Sequence, residues 1–546
     1  MLPPHRYYYL HNFQRALEVV ADRYADLLDE GERVFFDEFD RLPQMSRALF
    51  VRMAMRRGPW FRASRLAYEE IPDLLAAAAP LVSLGWLDAR APMALDELFD
   101  ICTLPELRGL FPASVRAGLR KSEWLAILRE QHDEVRSYDL WSPASPEPAW
   151  RFMLGDHCDR LRLMFFGNLR QDWSEFVLAD LGVFRYESVA FDQASRAFQT
   201  RADIDRYLTL HACRQALDTD PEIDDLLDVV QSCVSTNAWL EQRRTKVLLR
   251  IGHACERARH WDRAYRVYEQ CAYPGARHRR IRMLERMGRH DDALELALHA
   301  RQAPESEAES QALARMLPRL RRNAGLPALA RAAIAAPVRR DLALPRPVEP
   351  QSVEVVARDH LHCDTAPVFY VENTLINALF GLLCWPAVFA PLPGAFFHPF
   401  QRGPADLSAP DFVSRRADLF ASALSQLESD AYRDTIWRHY TEKAGLQSPF
   451  VFWGALSEPL LRLALECLPA DHLKLFFTRM LQDIAQNRTG LPDLIRFMPG
   501  EKRYELIEIK GPGDKLQDNQ IRWLQYCAAH GIAAHVCHVR WCEDEA

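Results

Sequence analysis

Residues 487–531 read NRTGLPDLIRFMPGEKRYELIEIKGPGDKLQDNQIRWLQYCAAHG, and within them Asp493 stands fifteen residues ahead of Glu508, with Lys510 two further on. The stretch parses as a strand at 494–498, a turn through Pro499, Gly500, Glu501 and Lys502, and a second strand at 504–509. A breaker at Gly511, Pro512 and Gly513 follows, then a helix from about Leu516. Glu508 and Lys510, two apart, share one face of their strand, while Ile507 and Ile509 turn to the core. A hairpin brings Asp493 back beside Glu508. Two carboxylates a few ångström apart repel each other, and one has its pKa raised unless a hard cation sits between them. With the main-chain carbonyl of Ile509 and water they make an oxygen shell suited to Mg²⁺ or Mn²⁺. Such an ion acidifies a bound water and clamps a phosphoryl oxygen, while Lys510 orients the water or neutralises the charge that develops. The chemistry is phosphodiester hydrolysis. Taken by itself, the spacing also fits a surface hairpin carrying a same-face ion pair.

The rest of the chain must hold that hairpin. Its 546 residues, 49% apolar and 26% charged, exceed one hydrophobic core and imply roughly three or four domains of about 100–200 residues. This excludes a disordered chain and a small disulfide scaffold. With 68 basic and 75 acidic groups the net charge is −7, so any polyanion site must be a local patch. The opening MLPPHRYYYLHNFQRALE lacks the apolar core of an export signal, and the expected compartment is the cytoplasm, with the protein on the nucleoid when it acts on DNA. The longest apolar run, Thr374 to Ala390, contains Asn377 and Pro386 and reads as a buried helix, not a membrane span. The cysteines form no CxxC pair and read as reduced core thiols, and the alternation of His535 and Cys537 suits a strand better than a zinc site. Lysine occurs only at 121, 246, 443, 474, 502, 510 and 515, so Lys510 stands out in an arginine-rich chain.

Apolar spacing of three and four predicts helices from Leu17 to about Leu87. Residues 250–271 are echoed by 280–300, with Arg259-His260 and Arg289-His290 about thirty residues apart, which predicts stacked helical hairpins close to the tetratricopeptide period. Arginines crowd this region, and Leu313 to Arg340 holds no acid at all. This is a candidate DNA surface, with Arg279 and Arg280 as its representatives, and equally an ordinary solvated face. The Pro-rich stretch 336–351 reads as an exposed linker. The expected domains are 1–90 helical, 91–155, 156–234 connecting helices, 235–345 solenoid and 352–546.

LPELRGLFPASVRAGLRKSEWLAILRE, from Leu104, resembles the SAP motif, a resemblance that puts Arg116, Arg120 and Lys121 on DNA phosphates. The residues alone also fit a three-helix packing unit. Asp493 followed by Glu508-x-Lys510 is the PD-(D/E)xK pattern, and RTGLPDL, YELIEIKGPGDKL and DNQIRWLQY together resemble the VRR-type nuclease domain. That resemblance implies a restriction-endonuclease-like α/β fold and adds Gln520, on the helix after the strand, to Asp493, Glu508 and Lys510. VENTLINALFGLLCWPAVF (371–389) resembles the helix that supplies a further metal-binding acid, here Glu372. A SAP-like segment, an arginine-rich solenoid and this C-terminal domain, in that order, resemble the Fanconi-associated nuclease family. The resemblance implies a mostly helical N-terminal and middle region before the nuclease domain. It also implies a Mg²⁺- or Mn²⁺-dependent DNase that cuts near 5′-flap junctions, degrades 5′ to 3′ and serves interstrand cross-link repair. Asn519 stands where animal members carry a basic residue, so an anchor for a 5′-terminal phosphate is not implied, and no ubiquitin-binding zinc finger precedes the helices. The alternatives are a protein-binding scaffold with an inactive nuclease fold, and an RNase or duplex cutter.

Overall fold

The computed structural model describes residues 6–542 except 57, 113–118, 144–146, 181, 191–194, 220–221 and 328–336. The chain forms two units, residues 1–185 with 192–204 and residues 186–191 with 205–546.

In the first unit, amphipathic helices Tyr8–Arg23, Glu30–Arg41 and Gln44–Ala54 enclose Phe13, Phe35, Phe39 and Phe50. Fully buried Glu32 is balanced by Arg160 at 3.0 Å and Arg201 at 2.5 Å, as a buried carboxylate requires. The helical expectation misses a three-stranded antiparallel sheet, ordered β1 (Trp60–Arg62), β3 (Ala149–Phe152), β2 (Leu87–Asp88). Strands this short carry no readable alternation. Next comes a three-helix unit, Leu95–Ile101, Leu104–Leu110 and Lys121–Arg129, packed on Leu98, Phe99, Leu107, Trp124 and Leu128. Arg116 lies outside the described residues.

The second unit opens its described solenoid with helices Ala238–Arg257, Trp261–Glu269, Ala276–Arg286, His290–Gln302 and Glu307–Asn323. The Arg259-His260 and Arg289-His290 pairs fall at the equivalent turn of successive hairpins, as the repeat predicts. The expectation of an acid-poor basic surface does not hold. Arg277 pairs with Glu309 at 2.5 Å, Arg279 with Glu256 at 3.2 Å, Arg280 with Glu269 at 2.5 Å and Arg319 with Glu285 at 2.5 Å. The acids come from neighbouring helices, which a reading along the chain cannot see.

The nuclease domain is built on a five-stranded sheet in the order β4 (Arg339–Pro345), β8 (Ala534–Cys542), β7 (Arg503–Lys510), β6 (Leu494–Met498), β5 (Val368–Tyr370). β5–β6 and β6–β7 are antiparallel, whereas β7–β8 and β4–β8 are parallel. A parallel neighbour needs a crossover, and helix Asp518–Ala529 supplies it between β7 and β8. One face of the sheet, through Ile495, Phe497 and Leu506, joins a large apolar cluster of helices. The other, through Ile507, Ile509 and Val539, packs on Ala357 of helix Val353–Leu361. Two expectations shift. β4 lies inside the predicted Pro-rich linker, so the nuclease fold begins before residue 352; the pairing partner that makes it a strand, β8, is almost two hundred residues away. The single helix expected over 374–390 is two, Leu375–Leu383 and Trp385–Val388, broken where Pro386 has no N–H to give.

Candidate active site

The antiparallel register that sets Leu494 opposite Ile507 carries Asp493 to the level of Glu508. Asp493 accepts the N–H of Ile509 through Oδ2 at 2.7 Å, beyond the end of the β6 ladder. The N–H and C=O of one strand residue point to the same neighbour, so the Ile509 carbonyl also faces Asp493. Glu508 follows Tyr504 and Leu506 on the face against the apolar helices and is fully buried, as Asp493 and Lys510 nearly are. The surface-hairpin alternative fails on this burial. Lys510 Nζ lies 2.7 Å from Glu508 Oε1, yet neither Glu508 oxygen receives a well-directed hydrogen bond.

Burial and the charge of Asp493 push the Glu508 carboxyl up to about 8, against the pull of Lys510. Burial and the nearby Glu372 raise Asp493 to about 6, against the Ile509 N–H and Lys510. Two buried acids driven toward their neutral forms, with the Glu508 oxygens unsatisfied, suit a hard divalent cation. Among the described residues no three acids, histidines or cysteines close into a complete metal cage by themselves.

Glu372 departs from its expected placing. It lies in the turn after β5, ahead of helix Leu375–Leu383, and is half-buried; its oxygens accept from Tyr370 Oη at 2.5 Å and Asn373 Nδ2 at 3.2 Å. It reaches Asp493 and Glu508 electrostatically. Gln520 is buried and spends its side-chain oxygen on the Gln517 N–H, at 2.8 Å, capping its own helix. Lys121 gives Nζ to the Cys102 carbonyl at 2.8 Å, and Arg120 is the exposed residue before helix Lys121–Arg129.

Three residues that hold the site were not singled out from the sequence. Asn373, at φ 50°, accepts the Leu491 N–H through Oδ1 at 3.1 Å. Asn377 donates to the carbonyls of Asn373 and Arg488 at 2.7 and 2.8 Å. Together they bind the turn that bears Glu372 to the segment leading into Asp493, and two asparagines four apart at the head of an otherwise apolar run were the available signal. Glu354, at the start of helix Val353–Leu361, is a third acid whose charge bears on Asp493. Its only mark in the sequence was an acid in a first helical turn, which is too common to notice.

The 518–529 helix is tied to the solenoid at its start. Arg315 forms a two-pronged pair with Asp518, at 2.6 and 2.7 Å, and Gln311 accepts from Arg522 at 2.7 Å. Deeper, Arg479 pairs with Glu307 at 2.5 Å and lies over the rings of Trp523 and Tyr526 at 4.8 and 4.3 Å.

Residues 427–541 match the model of the VRR-NUC domain, 7–88 that of the FAN1 HTH domain and 92–141 that of the Fanconi anemia-associated nuclease SAP domain. The chain is 52% identical to a Fanconi-associated nuclease 1 homolog of Pseudomonas aeruginosa, over 99% of this chain and 97% of the relative. It is 26% identical to a homolog of Oryza sativa and 23% to Fanconi-associated nuclease 1 of Homo sapiens. It spans 63% and 62% of those longer proteins. Its fold is similar to crystal structures of paFAN1 bound to 2-nt and 1-nt 5′-flap DNA with a gap, at 51% identity in both. The TM-scores are 0.97 and 0.93, over 100% and 99% of this chain and the whole of each matched chain. No described helix is long and apolar enough to cross a membrane.

Proposed function

The chain belongs to the Fanconi-associated nuclease family and is a DNA-hydrolysing phosphodiesterase, and from that premise we propose that it cuts branched DNA at 5′ flaps through Asp493, Glu508 and Lys510. Similarity to a protein crystallised on 5′-flap DNA supports the substrate. The family role supports a 5′ to 3′ action in interstrand cross-link repair, on the nucleoid. In this reading Asp493, Glu508 and the Ile509 carbonyl hold Mg²⁺ or Mn²⁺, with Glu372 completing the set from the β5 turn. The bound ion supplies Lewis acidity toward the phosphoryl oxygen and an acidified water. Lys510, beside Glu508, meets the negative charge that develops on the phosphate. The Ile509 N–H holds Asp493 in place, and Gln520 fixes the start of the helix that flanks the acids.

The observation that carries this reading is the pair of unsatisfied oxygens on fully buried Glu508, next to a second buried carboxylate and a lysine. A scaffold has no physical use for so costly a cluster.

The test is cleavage of labelled 5′-flap, 3′-flap, single-stranded and plain duplex DNA with Mg²⁺, Mn²⁺ or EDTA, comparing wild type with Lys510→Ala. The expected result is metal-dependent cutting of the 5′ flap that falls at least about a hundredfold in the variant. A variant that cuts like wild type, or a wild type that cuts nothing, sinks the reading.

A further inference from the structure

Glu508 and Ile509 are fixed by β7, and Asp493 by the Ile509 N–H, but Glu372 stands in the turn after β5, half-buried, on a long rotatable side chain. The charges of Asp493 and Glu508 reach it, and like charges drive a free carboxylate out toward water. Two donors oppose that drift, one on each oxygen. Tyr370 Oη donates to Oε2 at 2.5 Å and Asn373 Nδ2 to Oε1 at 3.2 Å. A carboxylate has about four lone-pair sites, so both oxygens keep one for a cation.

The backbone sets Tyr370 for this contact. It ends β5 opposite Leu494, and the pairing runs one residue further, with the Val371 N–H donating to the Asp493 carbonyl at 2.8 Å. Tyr370 and Glu372 flank that paired residue, so both leave the same side of the chain at the level of Asp493. Asn373 has a second task, since at φ 50° it also accepts the Leu491 N–H and so fixes the turn itself. Tyr370 has none. It is 43% exposed, whereas Val368, two residues before it, is buried, and among the described residues its hydroxyl bonds only Glu372. A ring this exposed adds little to the core, and water would satisfy its hydroxyl, so what the bond contributes is the place it gives Glu372.

We propose that Tyr370 is a positioning residue for the metal: its hydroxyl holds the Glu372 carboxylate beside Asp493 and Glu508, and without it the site takes a divalent cation more weakly. Outer donors of this kind orient the groups that ligate a metal and tune its affinity. The inference rests on the reading of Glu372 as a ligand.

The test titrates Mn²⁺ into the full chain without DNA, by isothermal titration calorimetry, for wild type, Tyr370→Phe, Glu372→Gln and the double variant. Tyr370→Phe keeps the ring and removes only the hydroxyl. It is expected to raise the Kd for Mn²⁺ by about tenfold, and the half-saturating Mn²⁺ for flap cleavage in parallel. Added to Glu372→Gln it should change nothing further, because Tyr370 acts through that carboxylate. Anisotropy in EDTA should give Tyr370→Phe the wild-type affinity for 5′-flap DNA. Three results overturn the inference: a Kd for Mn²⁺ that Tyr370→Phe leaves unchanged, an equal loss in the Glu372→Gln background, or a fall in DNA affinity in EDTA, which would make Tyr370 a DNA contact. If Glu372→Gln weakens Mn²⁺ binding and Tyr370→Phe does not, only the positioning role falls. If Glu372→Gln binds Mn²⁺ as wild type does, Glu372 is no ligand, and that part of the parent reading falls together with the inference.

Discussion

Glu508 is the residue on which the site turns, because burial sets its carboxyl against its own ionised form. Both acids titrate above their unfolded values, Asp493 at about 6 and Glu508 at about 8. An acid raised in the fold contributes stability that is fully present below its unfolded pKa, near 4, and is lost as pH climbs through the folded value. The metal-free chain should therefore show a falling Tm between about pH 5 and pH 8.5, and Glu508→Gln should flatten that fall. At the upper pH, Mg²⁺ should raise the Tm of wild type and leave Glu508→Gln nearly unmoved. Differential scanning calorimetry at constant ionic strength measures all three; a flat wild-type profile contradicts the burial argument. Glu354 yields a second prediction at this scale. Its charge bears on Asp493, so Glu354→Gln should weaken the Mg²⁺ dependence of cleavage, read as a rise in the half-saturating metal concentration with duplex affinity unchanged.

The elements around the acids are held by close backbone contacts more than by charge. Gly490, at φ 87°, lets the segment before Asp493 meet the start of helix Asp518–Ala529, and a Cβ there would stand 2.7 Å from the Asn519 carbonyl carbon. Gly513 has a similar φ of 89° but open space around it. Gly490→Ala should cost about 2–5 kcal/mol, left-handed strain plus overpacking, and should slow cleavage by pushing the start of the helix that bears Gln520 away from the segment leading into Asp493. Gly513→Ala should cost only the strain, about 1–2 kcal/mol. Urea denaturation followed by tryptophan fluorescence separates them, and equal losses would mean that the contact with Asn519 carries nothing. The hairpin and its crossover helix were legible because strand alternation, a Pro-Gly turn and a Gly-Pro-Gly breaker are all local. β4 was not, since its strand character comes from pairing with β8, and the broken helix at Pro386 was read as one because both halves are apolar.

Across the whole molecule the arginines matter by their partners. Arg279 and Arg280 are each paired with an acid of a neighbouring helix, whereas Arg257 and Arg286 have no ion pair among the described residues. The latter two line one cavity with Arg250, Arg279 and Arg282. A paired arginine has part of its field cancelled before DNA arrives. Charge reversal of Arg257 and Arg286 should therefore reduce the salt slope of flap-DNA binding by about 2, and reversal of Arg279 and Arg280 by less. Anisotropy titrations over a salt series decide this, and the opposite ranking would return the footprint to Arg279 and Arg280.

By itself the sequence singled out the groups proposed to do the chemistry and suggested the order of the parts. Asp493, Glu508 and Lys510 are distinguished by residue type and spacing along two adjacent strands, and the helical repeats by a period of about thirty residues. Only the tertiary structure decided that Glu508 is buried without a proper hydrogen-bond donor, that Glu372 stands in a turn and not on a helix, that β4 completes the sheet, and that the arginine-rich solenoid is laced with acids. The physical reason is range. Periodicity, turn chemistry and same-face spacing act over a few residues, whereas desolvation, ion pairing and strand partnership depend on what the rest of the chain brings alongside.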